Sequence, residues 1–277
     1  MGTLYVCATP IGNLEDVSIR LLKTLRRVDI IACEDTRQTS KLLQRYHIRK
    51  RLVSYHQHNR RAREELMVGY LREGKDVALV SDAGMPAISD PGEDLVRSAI
   101  REGFPVVVVP GPSALVSALA LSGMDTTRFV FEGFLPAKAS QRRDVLASLA
   151  AEPRTAVFYE APHRLLETLE DMEAIMGERQ IAVARELTKL FEEVVRGTVI
   201  EVRQHFATHP PRGEITIIIE GNPGQPAQVD RVALLRELEE LIASGVEKKE
   251  AFKIKAREYG LKKRDIYRLF VDETDSS

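Results

Sequence analysis

The sequence has almost no cysteine, only Cys7 and Cys33 in 277 residues. Neither spacing suits a zinc site, and a reduced, cytoplasmic setting is the expected home. It also lacks a long apolar run, and its first residues, MGTLYVCATP, carry no basic cluster. Neither a signal peptide nor a membrane span is expected. Net charge is nearly absent as well: 40 Lys and Arg oppose 41 Asp and Glu, a balance of -1. Global attraction to nucleic acid is thereby excluded, and any basic surface must be local. The phosphate-cradling patterns GxxxxGK[ST] and GxGxxG do not occur, so a nucleoside triphosphate is not the expected ligand. What is there is 44% hydrophobic and 29% charged residues, enough for real cores in two domains and a small appendage.

Apolar strand-like runs alternate with amphipathic segments. Strands are expected at Leu4 to Ala8, Val28 to Cys33, Leu52 to Tyr55, Val77 to Val80 and 105 to 109. Helices fall between them, near Val17 to Arg27, Thr39 to Tyr46, Arg60 to Arg72 and Glu93 to Glu102. This is one α/β domain, 1–122, closed where SGMDTT breaks the helical pattern. A smaller α/β domain, 123–224, follows, with strands at Phe129 to Phe131, Thr155 to Tyr159, Ile181 to Arg185 and Glu214 to Ile219. Its helices are expected at Gln141 to Ala151, His163 to Met176 and Thr198 to Phe206. GNPGQPAQ, 221–228, reads as a linker. Beyond it, residues 225–277 form a small helical domain, with helices near Val229 to Ala243, Lys248 to Tyr259 and Lys262 to Val271. The last two meet at Gly260-Leu261 in a helix-turn-helix-like arrangement.

Two loops stand out. ValAlaLeuVal runs into SDAGMPAISDPG, 81–92, and ValValValVal runs into PGPSA, 110–114. A right-handed crossover makes the two strands parallel, so their carboxyl ends are expected side by side, with both loops on one crevice. Asp82 at a strand end would repel phosphate but accept hydrogen bonds from hydroxyls or an amino group, which favours a nucleoside-like ligand. Ala83 and Gly84 join the expected site on loop position alone.

Seven segments occur in order: ATPIGNLEDVS (8–18), CEDTRQTSKLL (33–43), SDAGMPAISDPG (81–92), PGPSA (110–114), FEGFLP (131–136), FYEAPHR (158–164) and RELTK (185–189). Together they resemble the bacterial 16S ribosomal RNA ribose 2'-O-methyltransferases, a branch of the tetrapyrrole methylase superfamily. The resemblance covers almost the whole chain. It implies a homodimeric enzyme with two α/β domains that holds S-adenosylmethionine in the cleft between them and methylates a decoding-region cytidine of the 30S subunit. Cofactor positions of the superfamily are matched by Pro10, Val80, Ser81, Asp82, Ser113 and Ala114, and in weaker motifs by Ile88, Tyr159, Glu160 and Leu187.

Methyl transfer from a sulfonium is an in-line displacement, so the protein must align donor and acceptor and exclude water; no metal is called for. A base near the 2'-hydroxyl should help. Candidates at strand ends are Glu34, Asp35, His56 and Glu186 beside Lys189, with Asp35 and His56 favoured. Each has a competing structural role: Glu34 or Asp35 as a helix cap, His56 as a solvated loop residue, Glu186 as half of an exposed ion pair. Phe134 and Tyr159 are flat groups suited to adenine or to an extruded base, or to the core.

Residues 248–271 hold nine Lys or Arg and three acids, a local net of +6 in a nearly neutral chain. Lys262, Lys263 and Arg264 open the last helix, and with Arg37 and Lys41 they are the expected RNA contacts, the alternative for the tail being a solvated helical face or a dimer prop; Arg60, Arg61 and Arg63 either extend the basic surface or form the exposed side of a surface helix. Two rival functions share the core: a precorrin-like tetrapyrrole methylase, and a non-catalytic RNA-binding assembly protein. The basic tail speaks against the first and the complete set of loops against the second.

Overall fold

The computed structural model describes residues 1–55, 60–222, 231–259, 266, 267 and 270. By internal contacts these form two units, one of Met1–Ala150 with Thr155–Glu220, the other of Ala151–Arg154 with Gly221–Ser277.

The first unit holds both sheets. Strands β1 (Leu4–Cys7), β2 (Ile30–Cys33), β3 (Arg51–Ser54), β4 (Val77–Val80) and β5 (Val106–Val109) are all parallel, in the order β3-β2-β4-β1-β5. IleIleAlaCys and ValAlaLeuVal are buried throughout, as a parallel sheet covered on both faces requires. Val77 and Leu79 face the core made with helices α3 (Arg60–Arg72) and α4 (Glu93–Arg101). Ala78 and Val80 face the opposite core, made with α1 (Ile19–Arg27) and α2 (Thr36–Arg45).

The strand order corrects one expectation. β4 and β5 do not touch, because β1 lies between them and pairs with both, Val6 opposite Leu79 on one side and Val108 on the other. The connection out of β1 runs toward β2, and the connection out of β4 runs the other way, over β1 to β5. Chains leaving neighbouring strands in opposite directions open a crevice at their carboxyl ends, the switch point where α/β sheets bind ligands.

The second sheet is mixed. β6 (Phe129–Phe134) lies parallel to β7 (Thr155–Glu160), whereas β10 (Ile215–Ile219) is antiparallel to β7 and β8 (Gln180–Arg185), and β9 (Glu193–Thr198) is antiparallel to β8. The edge strand β9 was not foreseen, since GluValValArgGlyThr is charged and carries a glycine. Helices α6 (Ala139–Ser148), α7 (Leu165–Met176) and α8 (Val199–Thr208) cover one face. The other face is covered by α5 (Ala114–Ser122), whose Ala118 and Leu119 pack on Val157, Ala182 and Ile218. ALVSALALS leaves the first sheet and closes the second, and this is what joins the two halves. Between α6 and α7, buried Asp171 accepts from Arg142 Nε and Arg143 Nε, each at 2.6 Å.

In the second unit, α9 (Arg231–Ala243) and α10 (Lys248–Glu258) enclose Leu234, Leu238, Ala251 and Phe252, joined by Ile266. The expected turn at Gly260-Leu261 lies outside the described residues.

Candidate functional site

The loops after β1 and β4 are tied across the crevice by a pair of backbone bonds, Thr9 N–H to Gly84 O at 2.9 Å and Gly84 N–H to Thr9 O at 3.1 Å. Gly84 sits at φ +76°, a conformation that glycine adopts without steric cost. Thr9 Oγ1 donates to Ser81 O at 3.2 Å, and Ser81 Oγ donates to Ala83 O at 3.2 Å, so both hydroxyls brace the loop.

Beside them lies a cleft of about 440 Å³, lined by Pro10, Ser81, Asp82 and Ala83 from the first sheet's loops, by Gln38 and Lys41 from α2, and by Lys189 and Glu214 from the second sheet. The volume falls within the range of about 300–1,000 Å³ usual for small-molecule sites. The other expected cofactor residues take varied places. Val80 is buried in its strand, and Ile88 is 47% exposed on the 81–92 loop. Ser113 stands at the N-cap of α5 without a side-chain capping bond, and Ala114 begins the helix. Leu187 packs with Ile11 beneath the cleft. Tyr159, at the end of β7, meets Phe131 edge-on with ring centroids 5.0 Å apart and Phe134 at 5.6 Å. Glu160 is almost wholly buried, its carboxylate accepting from Thr168 Oγ1 at 2.6 Å and Ala161 N–H at 2.8 Å, with Arg164 Nε at 3.3 Å. That carboxylate anchors the start of α7.

The resemblance implied a cofactor cleft between the two halves, but no local pattern gave how closely they meet here. A Cβ on Gly12 would stand 2.5 Å from Lys189 Cγ and 3.0 Å from Leu187 O, and Asn13 N–H donates to Thr188 Oγ1 at 3.0 Å. The RELTK loop therefore lies directly on the loop after β1. Glu214 had no local signal, since only the register of β10 beside β8 brings it to Lys189. Strain collects in the same loops. Ala87, Ser89, Glu186 and Thr188 all have φ between +51° and +68°, leaving His47 as the one other non-glycine of positive φ among the described residues. Such residues persist where the surrounding structure over-determines them, commonly at ligand sites.

Charge is arranged unevenly. Asp35 caps α2, its Oδ1 accepting from Arg37 N–H at 2.8 Å while the Arg37 guanidinium forks onto both carboxylate oxygens. These bonds hold Asp35 below the usual carboxylate range. They also start α2 at Thr36, three residues before Thr39. Asp82 accepts from Asp35 N–H at 2.9 Å, yet burial pushes its carboxyl up. Burial also pushes up Glu34, helped by Asp90 and Asp82, and takes Asp90 to about 6. Burial pulls Lys189 down, but its bonds to Glu186 at 2.8 Å and Glu214 at 3.2 Å outweigh that and keep it a cation. The expected base His56 and the expected RNA contacts Lys262, Lys263 and Arg264 lie outside the described residues. Lys41 lines the cleft from α2 and donates to Gln38 at 3.0 Å, whereas Arg37, in the first turn of the same helix, is exposed and not part of the lining.

Residues 3–203 match the family described as Tetrapyrrole (Corrin/Porphyrin) Methylases. Over nearly full length the chain is 48% identical to the Ribosomal RNA small subunit methyltransferase I of Halalkalibacterium halodurans, covering 98% of this chain and 96% of that one. The chain belongs to this methyltransferase family. The family member of Thermotoga maritima is 53% identical over 80% of this chain and 99% of its own, so a fifth of this chain has no counterpart there. Among solved structures, a uroporphyrin-III C-methyltransferase of Thermus thermophilus, complexed with S-adenosyl homocysteine, shares the fold at TM-score 0.56 and 18% identity, covering 79% of this chain and 97% of that one. Like other members of the family, this chain is an enzyme; among its described residues no helix is long and apolar enough to cross a membrane.

Proposed function

We propose that this chain transfers the methyl group of S-adenosylmethionine to the ribose 2'-hydroxyl of a decoding-region cytidine in 16S ribosomal RNA, acting as a cytoplasmic homodimer on the assembled 30S subunit. The observation that carries the reading is a near-full-length match to relatives named for ribosomal RNA methylation, set on a fold whose switch-point cleft suits a nucleoside-like ligand. Homodimerisation is supported by the bare edge strand β5, where Val107 and Val108 are 40% and 54% exposed. The domain limits 1–122, 123–224 and 225–277 belong to the same proposal, with the last segment docking RNA.

The cleft's chemistry fits the donor. Asp82 offers an acceptor for ribose hydroxyls or an ammonium group. Bound there, S-adenosylmethionine supplies an activated methyl that leaves sulfur as a carbon–oxygen bond forms. The remaining work is the protein's. The loops after β1 and β4 fix one wall, and Lys189, held by two carboxylates, fixes the other, so that the acceptor hydroxyl is aligned and water is excluded. Asp35, kept ionised by Arg37, accepts a hydrogen bond from the hydroxyl and polarises it. His56, two residues beyond β3 in sequence, is the acceptor of that proton in this proposal.

The test is transfer of labelled methyl from S-adenosylmethionine to 30S particles lacking ribose methylation, with mass-spectrometric mapping of the digested RNA. Label on one 2'-O-methylcytidine is expected. Label on a precorrin-like ring and none on 30S particles or 16S RNA refutes the reading in favour of a tetrapyrrole methylase, and RNA binding without transfer to any acceptor refutes it in favour of an assembly protein. A chain cut at Gly224 should keep donor affinity and lose activity on particles; full activity would assign the basic helices to something other than RNA docking.

A further inference from the structure

The hairpin tip between β8 and β9 presents two large apolar side chains to solvent, Leu190 at 89% and Phe191 at 67% exposure. One exposed apolar residue calls for no explanation, but here two stand together and their mounting is rigid. Thr188 N–H donates to the Glu192 carboxylate at 2.6 Å, Lys189 N–H to Glu186 O at 3.0 Å, and Glu192 N–H to Lys189 O at 3.1 Å. Below the tip, Glu186 and Thr188 hold left-handed backbone, and Thr188 Oγ1 fastens the loop to Asn13. The nearby acids are already engaged, Glu192 by the Thr188 amide and Glu193 by Arg185 and His205. What remains on display is an aromatic ring and an aliphatic neighbour, next in sequence to a lysine that lines the cleft.

We infer that Phe191, with Leu190 beside it, is a stacking platform for an unpaired base of the RNA strand whose ribose enters the cleft. This rests on the proposed function. A ribose 2'-hydroxyl is most readily brought into a cleft when its nucleotide is splayed out of a stack, and the bases so exposed need a flat partner. An aromatic ring meets any base face without regard to sequence, and neighbouring cations take the backbone. Lys189 on this loop is neutralised by Glu186 and Glu214, which leaves Lys41 on the facing helix α2, bonded to the neutral Gln38, as the cleft cation that faces a phosphate, with the ring to take the base. Leu190 widens the apolar surface next to the ring. Phe191 is thus a positioning residue that acts on the RNA and leaves the donor alone.

The experiment compares Phe191→Ala and Phe191→Trp with the wild-type chain in methyl transfer to unmethylated 30S particles, beside donor affinity by calorimetry and mass by sedimentation. In Phe191→Ala, kcat/KM for the particle should fall about 5- to 150-fold, the loss expected for one base–aromatic stack, with donor affinity, melting temperature and mass unchanged. Phe191→Trp should restore most of it. Unchanged kcat/KM in Phe191→Ala, with an active wild-type chain, overturns the inference and leaves the proposed function standing. A fall in mass assigns the tip to contact with a second copy of the chain and overturns it too. No transfer by the wild-type chain refutes the proposed function and the inference with it.

Discussion

Replacing Gly12 by alanine puts a methyl group where the two halves of the first unit meet. The added carbon would stand 2.5 Å from Lys189 Cγ, 2.8 Å from Thr188 Oγ1 and 3.0 Å from Leu187 O, whereas ordinary contact needs 3.4–4 Å. Lys189 is free to swing only by leaving Glu186 and Glu214, and Leu187 O is main chain. The loops must part, at a cost of about 1–3 kcal/mol for overpacking of this kind. If the folded protein bears the strain, the melting temperature falls by about 2–12 °C, taking about 2–4 °C per kcal/mol. If the loop after β1 lifts instead, stability is spared and the cleft wall carrying Pro10 is displaced, so the same energy appears as donor binding weakened about 5- to 150-fold. Scanning calorimetry and titration with S-adenosylmethionine measure the two together, and the losses should share one total. The control is Gly69→Ala in α3, where an added Cβ meets nothing within 4 Å; it should gain about 0.5–1 kcal/mol from helix propensity. A Gly12→Ala protein with unchanged melting temperature and unchanged donor affinity would refute the claim that these loops are braced against each other.

Asp171→Ala leaves the buried guanidinium of Arg142, whose Nη1 already lacks a partner, with only the exposed Glu167 carboxylate at 3.7 Å, and should cost about 3–5 kcal/mol in a denaturant titration; a loss below about 1 kcal/mol would contradict the buried clamp between α6 and α7. Asp90 ionises at about 6 in the folded chain, above its unfolded value, so it holds more proton folded than unfolded across that interval. Stability from this group is full below about pH 4 and is lost as pH rises toward about 6. In melting curves recorded against pH, Asp90→Asn should remove that decline, and an unaltered profile would show that Asp90 is not held protonated. Asp35→Asn keeps a good helix cap while deleting the charge. It should leave the melting temperature nearly unchanged and lower kcat for methyl transfer about tenfold or more; unchanged kcat would confine Asp35 to capping α2.

Local signals served well where the chemistry is local. Short apolar runs such as ValAlaLeuVal gave the parallel strands, and the clustering of Gly, Pro, Ser and Asp after them gave the loops around Asp82. The capping role of Asp35 was legible as an alternative because Asp-Thr-Arg before an apolar helix face is a local pattern. Nothing local placed β1 between β4 and β5, because strand order is decided by which crossovers cover both faces of the sheet. Nor did RELTK declare itself as the opposing wall of the cleft. Its contact with Gly12 joins residues about 175 positions apart, and its partner Glu214 arrives through the register of a different strand. Glu160 shows what the resemblance alone could not: its carboxylate is buried at the start of α7, where it meets Thr168 and Arg164, a role that no local pattern announced.

The distribution of strain bears on why this architecture suits methyl transfer. The parallel sheet supplies a switch point with loops on one side of the ligand, and the mixed sheet supplies a rigid hairpin on the other. Neither wall relaxes into an ordinary turn: Ala87 and Ser89 are held left-handed on the first, Glu186 and Thr188 on the second. Each such residue costs about 1–3 kcal/mol, which packing elsewhere must offset. A reaction whose charge is spread out rather than concentrated at the transition state gains little from a strong electrostatic trap and much from alignment, since a displacement of about 1 Å can cost about a hundredfold in rate. Backbone strain locked between two sheets resists that displacement, and a single methyl group at Gly12 is predicted to undo it.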